Sequence, residues 1–198
     1  MKFVLATQNP KKLKEMSAIL SDLGVEVVSE ADLGVKIEVE ETGETFAENS
    51  LLKAKAVLEA TMLPAIADDS GLCVIALNGG PGVYSARFGG EGLDDTGRYR
   101  LLLQMLHGQA DRRAHFHTTI TCAFPNGDVL QDDGEVEGTI AFAPMGENGF
   151  GYDPVFFVPD KRKTFAQLSA EEKAEISHRG KALRAFKETL RNYLAEHQ

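Results

Sequence analysis

Asp68 and Asp69 stand side by side after a short apolar run, Ala65 to Ala67, and before Ser70 and Gly71. A run of that length bounded by turn residues predicts a buried strand, with Ser70-Gly71 as a turn. Carboxylates at the C-terminal end of a strand sit where α/β sheets bind their ligands. The same pair would also suit a solvated acidic turn. A hard divalent cation fits such groups, because it takes oxygen donors, often two carboxylates completed by waters and phosphates. Glu38, Glu40 and Glu41, just before Thr42-Gly43, offer further carboxylates. Spacing alone does not choose between Glu40 and Glu41.

Cations are placed to meet an anion. Lys2 to Ala6 reads as a first strand, and Thr7-Gln8-Asn9-Pro10-Lys11-Lys12 follows at once. Asn9 is a good N-cap and Pro10 a good first helical residue. Leu13, Met16, Leu20 and Leu23 then recur at helical spacing, and Gly24 is a natural stop. Strand, polar turn and helix N-terminus together expose backbone N–H groups to an anion. Lys12 opposes the helix dipole there. A phosphate ligand would explain it, and a solvated lysine is the plain alternative. No Walker-type glycine loop is present. Thr45-Phe46-Ala47-Glu48 is a capping box that opens a second helix. Asn49 and Lys53 share a face of that helix, and without a ligand both are expected to face solvent.

A third group lies in Gly149-Phe150-Gly151-Tyr152-Asp153-Pro154, ahead of a strand at Val155 to Val158. Phe150 among small residues suits either the core or a platform on which a planar base stacks. Tyr152 and Asp153, polar and beside a turn, favour a site. Ser169-Ala170-Glu171-Glu172 is a second capping box, and its helix carries Lys173. Ser177-His178-Arg179-Gly180 precedes a last helix at 182 to 193, so His178 and Arg179 lie near an N-terminus that suits anionic or carbonyl groups. His115 and His117 share one face of a strand at Arg113 to Phe124, but no cysteine or third histidine joins them as metal ligands.

The elements that must position these groups alternate as strand and helix early in the chain. A strand is expected at Val25 to Ser29, a further one at Val35 to Val39 and a helix at Asp94 to His107. Asn126-Gly127 predicts a hairpin into Val129 to Val136. This pattern predicts an α/β fold with a mixed, twisted sheet flanked by helices, 1–198 forming one domain of two lobes. With 198 residues, 43% of them hydrophobic, the chain is ample for a core. Thirty acidic against 21 basic residues give a net charge of -9, which argues against a nucleic-acid polymer as partner. A local basic pocket for a small polyanion is compatible with that balance. Cys73 and Cys122 read as free buried thiols of a reducing compartment. The N-terminal apolar run is too short for a signal peptide or membrane span, so the expectation is a cytoplasmic protein without a membrane partner.

Taken in order, several of these segments resemble one family. Thr7 to Lys12, Glu40-Glu41-Thr42-Gly43 with Phe46 to Lys53, Ile66 to Gly71, Gly79 to Phe88, Gly149 to Pro154 and Ser177 to Gly180 are similar to the motifs of the inosine triphosphate pyrophosphatases of the bacterial dITP/XTP type. The resemblance covers essentially the whole chain. It implies a Mg2+-dependent hydrolase that cleaves ITP, dITP or XTP between the α and β phosphates, sanitising the nucleotide pool. It also implies a homodimer with its site in a cleft between lobes. Asp69 would be the proton acceptor, and Glu40 and Asp69 the magnesium ligands. Thr7, Gln8, Asn9, Pro10, Lys11, Lys12 and Lys53 would bind the triphosphate, and Ser70 would touch the substrate. Phe150 would stack on the base, with Gly151, Tyr152 and Asp153 lining the nucleoside. Lys173, His178 and Arg179 would contact base or sugar. Two rivals are a septum-inhibitor-like pyrophosphatase with a different base preference (dTTP, UTP or modified pyrimidines) and a non-catalytic nucleotide-binding module. Intact Glu40, Asp69, Lys12 and Lys53 disfavour the module.

Overall fold

A computed structural model describes residues 1–7 and 9–197. Its elements are β1 (Lys2–Leu5), α1 (Pro10–Leu20), β2 (Glu26–Ser29), α2 (Phe46–Thr61), β3 (Ala65–Val74), α3 (Asp95–Met105), β4 (Arg113–Ala123), β5 (Val129–Ile140), β6 (Phe156–Val158), β7 (Lys163–Thr164), α4 (Ala170–Ile176) and α5 (His178–Glu196). The strands form one seven-stranded sheet in the order β2-β1-β3-β4-β5-β6-β7. β1 pairs in parallel with β2 and with β3, whereas β5, β6 and β7 pair antiparallel. The fold is therefore α/β with a mixed sheet, as the alternating pattern predicts. No helix among the described residues is long and apolar enough to cross a membrane.

The chain divides into two compact units, the first comprising Met1–Asp69, Thr118–Gly134 and Lys181–Gln198, the second Ser70–His117 and Glu135–Gly180. In the first unit, strand alternation sends successive side chains to opposite faces. Phe3, Leu5 and Ile66 join Met16 and Leu20 of α1 and Leu183, Phe186 and Leu190 of α5 in one core. Val4 and Ala65 point the other way, onto Val57 of α2. Ala54 of α2 meets Ala67 and Ala123 on the same side. Small residues there let α2 approach closely. In the second unit, Leu72, Val74, Phe116, Val136 and Phe156 of the strands pack with Leu102, Leu106, Phe165 and Leu168.

Local signals placed most boundaries. Asn9 caps α1, Thr45 and Glu48 close a capping box on α2, and Ser169 and Glu172 close another on α4. Two expectations are corrected. Residues 35–43 form neither helix nor strand. Buried Glu30 takes the backbone donors there: Val35 N–H bonds its carbonyl at 3.0 Å and Ile37 N–H its carboxylate at 3.2 Å. Paired in this way, the segment needs no ladder. The expected turn at Ser70-Gly71 is absent as well, because β3 runs unbroken from Ala65 to Val74. Pairing with β1 ends at Ile66, so the neighbour available to carry the strand onward is β4, and sheet pairing overrides the local turn propensity. Asp68 and Asp69 thus lie in mid-strand.

Candidate active site

In the first unit, β1 ends at Leu5 and the chain turns into α1. Thr7 Oγ1 accepts from Asn9 N–H at 3.1 Å, and Asn9 Oδ1 accepts from Lys11 N–H at 2.9 Å. Pro10 occupies the start of α1, whose first turn holds no acidic residue. Nothing in that turn neutralises the positive end of the helix. Thr7 is half-buried, while Asn9, Pro10 and Lys11 are exposed. Gln8 lies outside the described residues. Lys12 reaches buried Asp68 in a forked pair, its Nζ 2.7 Å and 3.0 Å from the two carboxylate oxygens.

Asp69 is the centre of a second cluster. Lys53 Nζ lies 2.7 Å from Glu41 Oε1 and 3.3 Å from Asp69 Oδ1. The backbone is fixed by Thr118, whose hydroxyl donates to the Asp69 carbonyl at 3.0 Å. Asp69 Oδ2 is buried and has no hydrogen-bond partner among the described residues. Burial pushes the Asp69 carboxyl above its ordinary range, and the Glu41 charge adds to this. The Lys53 ammonium and the Asn49 amide act the other way. Burial also works against the Lys53 cation, but the Asp69 and Glu41 charges outweigh it and raise its pKa.

The expectation that Asn49 and Lys53 face solvent is corrected. Asn49 is fully buried, and its Oδ1 accepts from Gly43 N–H at 2.8 Å. A Cβ at Gly43 would lie 2.7 Å from that oxygen, so only glycine lets the preceding segment sit so close to α2. Glu40 is exposed, and the neighbouring Glu41 is the residue that reaches Lys53. Ser70 is exposed on β3. Among the described residues no group of three or more His, Cys, Asp or Glu could hold a metal. A hard cation that keeps waters and phosphates needs only one or two carboxylates, and an unpartnered buried carboxylate oxygen on Asp69 fits that demand. His117 and His115 stand 3.4 Å and 4.0 Å from Glu135.

In the second unit, the chain between β5 and β6 presents Phe150 with 71% of its surface exposed. The core option for this ring is therefore excluded. Lys173 Nζ sits 4.8 Å from the ring centroid and forms an ion pair with Asp153. Asp153 is buried and accepts from Phe150 N–H at 3.0 Å. Burial raises the Asp153 carboxyl, opposed by the Lys173 charge. Gly149 has φ of 77°, and a Cβ there would fall 1.9 Å from Asp153 Oδ2. The glycine is what brings this carboxylate under the turn. Gly151 N–H donates to Asp95 Oδ2 at 2.8 Å. Tyr152, expected to line the nucleoside, is 5% exposed, and its hydroxyl donates to the Ser85 carbonyl at 2.7 Å. It anchors the loop in the core.

His178 and Arg179 begin α5, earlier than the expected residue 182. Ser177 Oγ accepts from Gly180 N–H at 3.0 Å and caps the start. The His178 ring stacks on Phe116 at 4.8 Å, and Phe116 is parallel to Phe165, over which Lys173 also reaches. Each unit thus gathers its own set: Lys12, Asp68, Lys53, Glu41 and Asp69 in the first, Phe150, Asp153, Lys173 and His178 in the second. Sequence reasoning left Glu41 undecided, placed Asn49 in solvent and passed over Asp95, whose partner Gly151 is distant in the chain. Asn49 carried a signal, its place one turn before Lys53 on α2.

The Ham1 family's sequence profile matches residues 3–189. The chain belongs to the Ham1 family. Among Ham1 relatives, it is 51% identical over 193 residues to the dITP/XTP pyrophosphatase of Thermus thermophilus, covering 97% of this chain and 93% of that one. It is 47% identical over 195 residues to the dITP/XTP pyrophosphatase of Escherichia coli, covering 96% and 98%. The solved Ham1 protein of Staphylococcus aureus superposes with a TM-score of 0.92 at 43% identity, covering 98% of this chain and all of that one. The placements above are therefore those of a Ham1 fold.

Proposed function

We propose that this Ham1 protein hydrolyses purine nucleoside triphosphates with a 6-oxo base, ITP, dITP and XTP, to the monophosphate and pyrophosphate. The similarity to dITP/XTP pyrophosphatases supports the substrate class. One observation carries the chemistry: a buried carboxylate oxygen, Asp69 Oδ2, with no hydrogen-bond partner among the described residues, beside two lysine–carboxylate pairs. The α1 N-terminus with Thr7 to Lys12, together with Lys53, takes the phosphate oxygens. Glu40, with Glu41 as its rival, and Asp69 would hold Mg2+. That ion supplies, when bound, neutralisation of charge on the phosphates. Asp69 takes a proton from the attacking water, a task its raised pKa suits, because a stronger base accepts a proton more readily once ionised. Lys12 and Lys53 meet the charge that accumulates on phosphate oxygens in the transition state.

Base choice falls to the second unit. Phe150 offers its exposed face for stacking, and Gly151, Asp153 and Ser70 border the nucleoside. A 6-oxo oxygen accepts from an N–H of His178 or Arg179, or from a backbone N–H, with Lys173 also contacting base or sugar. An adenine 6-amino group would leave that donor unpaired, a mismatch that weighs heavily in a desolvated site. We further read the protein as a cytoplasmic homodimer. The resemblance supports the dimer, and the two free thiols, Cys73 and Cys122, suit a reducing compartment. Light scattering tests the dimer. Pyrophosphate release measured with and without Mg2+ on ITP, XTP, ATP, dUTP and methylated UTP tests the reaction. Preference for ATP or for the pyrimidines refutes the base assignment, and turnover unchanged by chelation refutes the metal.

A further inference from the structure

The Phe150 ring poses a positioning problem. With 71% of its surface exposed, core packing does not fix it. A flanking residue, Gly151, has φ of 61° and no Cβ, so the peptide between them has little intrinsic resistance to rotation. Its orientation comes from the Lys173 ammonium over the ring and from hydrogen bonds to the neighbouring backbone. Phe150 N–H is held by Asp153 within the same loop, and Tyr152 by its hydroxyl on Ser85. The Phe150 carbonyl accepts from Asp153 N–H at 3.2 Å within the loop, and among the described residues the anchor of the Phe150–Gly151 peptide from outside the loop is Asp95 Oδ2, which accepts from Gly151 N–H at 2.8 Å.

Asp95 is at liberty for this because its neighbour does the capping. Asp94 Oδ1 accepts from Gly97 N–H at 2.7 Å and serves as the N-cap of α3. Arg98 approaches the other Asp95 oxygen at 3.7 Å, from a side chain only 18% exposed, and steadies the carboxylate from behind. An acidic side chain in the first helical turn is also favoured by the dipole. We infer that Asp95 is a positioning residue for base recognition: it fixes the Phe150–Gly151 peptide and so aims the ring at the base. This rests on the reading of Phe150 as the stacking platform.

The test compares wild type, D95A, D95N, F150A and the D95A/F150A double variant. Readouts are kcat and KM for ITP, and inhibition by inorganic tripolyphosphate, which has no base. We expect D95A to raise KM for ITP roughly three- to tenfold, the range of a typical net hydrogen bond, with kcat changed less. Inhibition by tripolyphosphate stays at the wild-type level. D95N, which keeps an acceptor oxygen, recovers most of the loss, and D95A adds nothing once Phe150 is gone. A D95A enzyme with wild-type KM, beside an F150A enzyme whose KM rises, overturns the Asp95 role alone. So does a D95A penalty of equal size with and without Phe150, or one that weakens tripolyphosphate equally. If F150A itself leaves KM unchanged, the stacking platform falls, and the role of Asp95 falls with it.

Discussion

The strand that carries Asp68 and Asp69 and the turn that carries Phe150 solve opposite problems. On the strand, charge is countered in advance: Lys12 by Asp68, Lys53 by Glu41 and Asp69. On the proposed function, an incoming triphosphate would exchange one anion for another there, so its binding energy would be a difference between two ion pairings. On the turn, the ring has no core packing to hold it. Glycine backbone, carboxylate acceptors and the Lys173 ammonium over its face hold it in place of a core. If the proposed function holds, the difference teaches that phosphate affinity depends on which carboxylate a lysine must leave, whereas base affinity depends on how stiffly a peptide is held.

The largest effect belongs to the strand. Asp69→Asn keeps the shape and removes the proton acceptor. It should lower kcat for ITP by about 10²–10⁴-fold while the protein stays folded by circular dichroism. Near-normal turnover would break the strand's half of the comparison. The choice of metal carboxylate comes next. E40Q and E41Q are compared by the Mg2+ concentration that gives half-maximal rate. The true ligand's variant should need roughly tenfold more, or beyond, and the other should stay near wild type.

Lys12→Met should weaken the ITP complex by about tenfold, the scale of a charge-assisted contact. It also leaves buried Asp68 without its cation, so thermal stability should fall too. The K12M/D68N double variant separates the two effects. Stability returns when the Asp68 charge is removed as well, and affinity does not. If affinity also returns, Lys12 acts only by pairing Asp68.

Much of this frame was legible in the chain. Asn9-Pro10, Thr45 with Glu48 and Ser169 with Glu172 announced α1, α2 and α4 because a cap is a contact between near neighbours. What stayed hidden depended on distant partners. Ser70-Gly71 has turn chemistry, yet the sheet carries β3 through it as strand. Val35 to Val39 has apolar alternation, yet Glu30 took its backbone donors. The Phe150 ring could have belonged to core or site, and only its measured exposure decides. Of the candidate site, residue types were readable, but not the pairings. Nothing local joins Lys12 to Asp68, or Asp95 to Gly151.

On the turn, the buried pair of Asp153 and Lys173 predicts a pH signature. Burial raises the Asp153 carboxyl, so ionising it costs stability: its contribution is full below the unfolded-state value and is lost as pH rises through the folded-state value. Lys173→Met removes the opposing charge and pushes that value higher. The variant should be about 1–3 kcal/mol less stable than wild type near neutral pH, toward the low side of a broken buried pair because Lys173 is partly exposed. The gap should narrow on acidification as Asp153 protonates. A gap that does not change with pH would mean the loss comes from Lys173 packing on Phe150 and Phe165, not from the charge.

The smallest effect sharpens the line between anchor and site. Tyr152→Phe deletes one hydroxyl, which donates to the Ser85 carbonyl at 2.7 Å, and leaves the ring in the core. Burial already raises the pKa of that hydroxyl, so it stays a neutral donor across the working range. Its loss should cost about 1 kcal/mol of stability, seen in denaturant unfolding, and should move KM for ITP by less than the Phe150 substitution does. Ser85 is itself held, with its hydroxyl donating to the Gly82 carbonyl at 2.6 Å and accepting from Leu72 N–H at 2.9 Å, so the acceptor stays in place when the donor goes. A Y152F enzyme of wild-type stability with a raised KM would reverse the assignment. The hydroxyl would then belong to the substrate, and the turn would be built less on backbone restraint than its neighbouring contacts indicate.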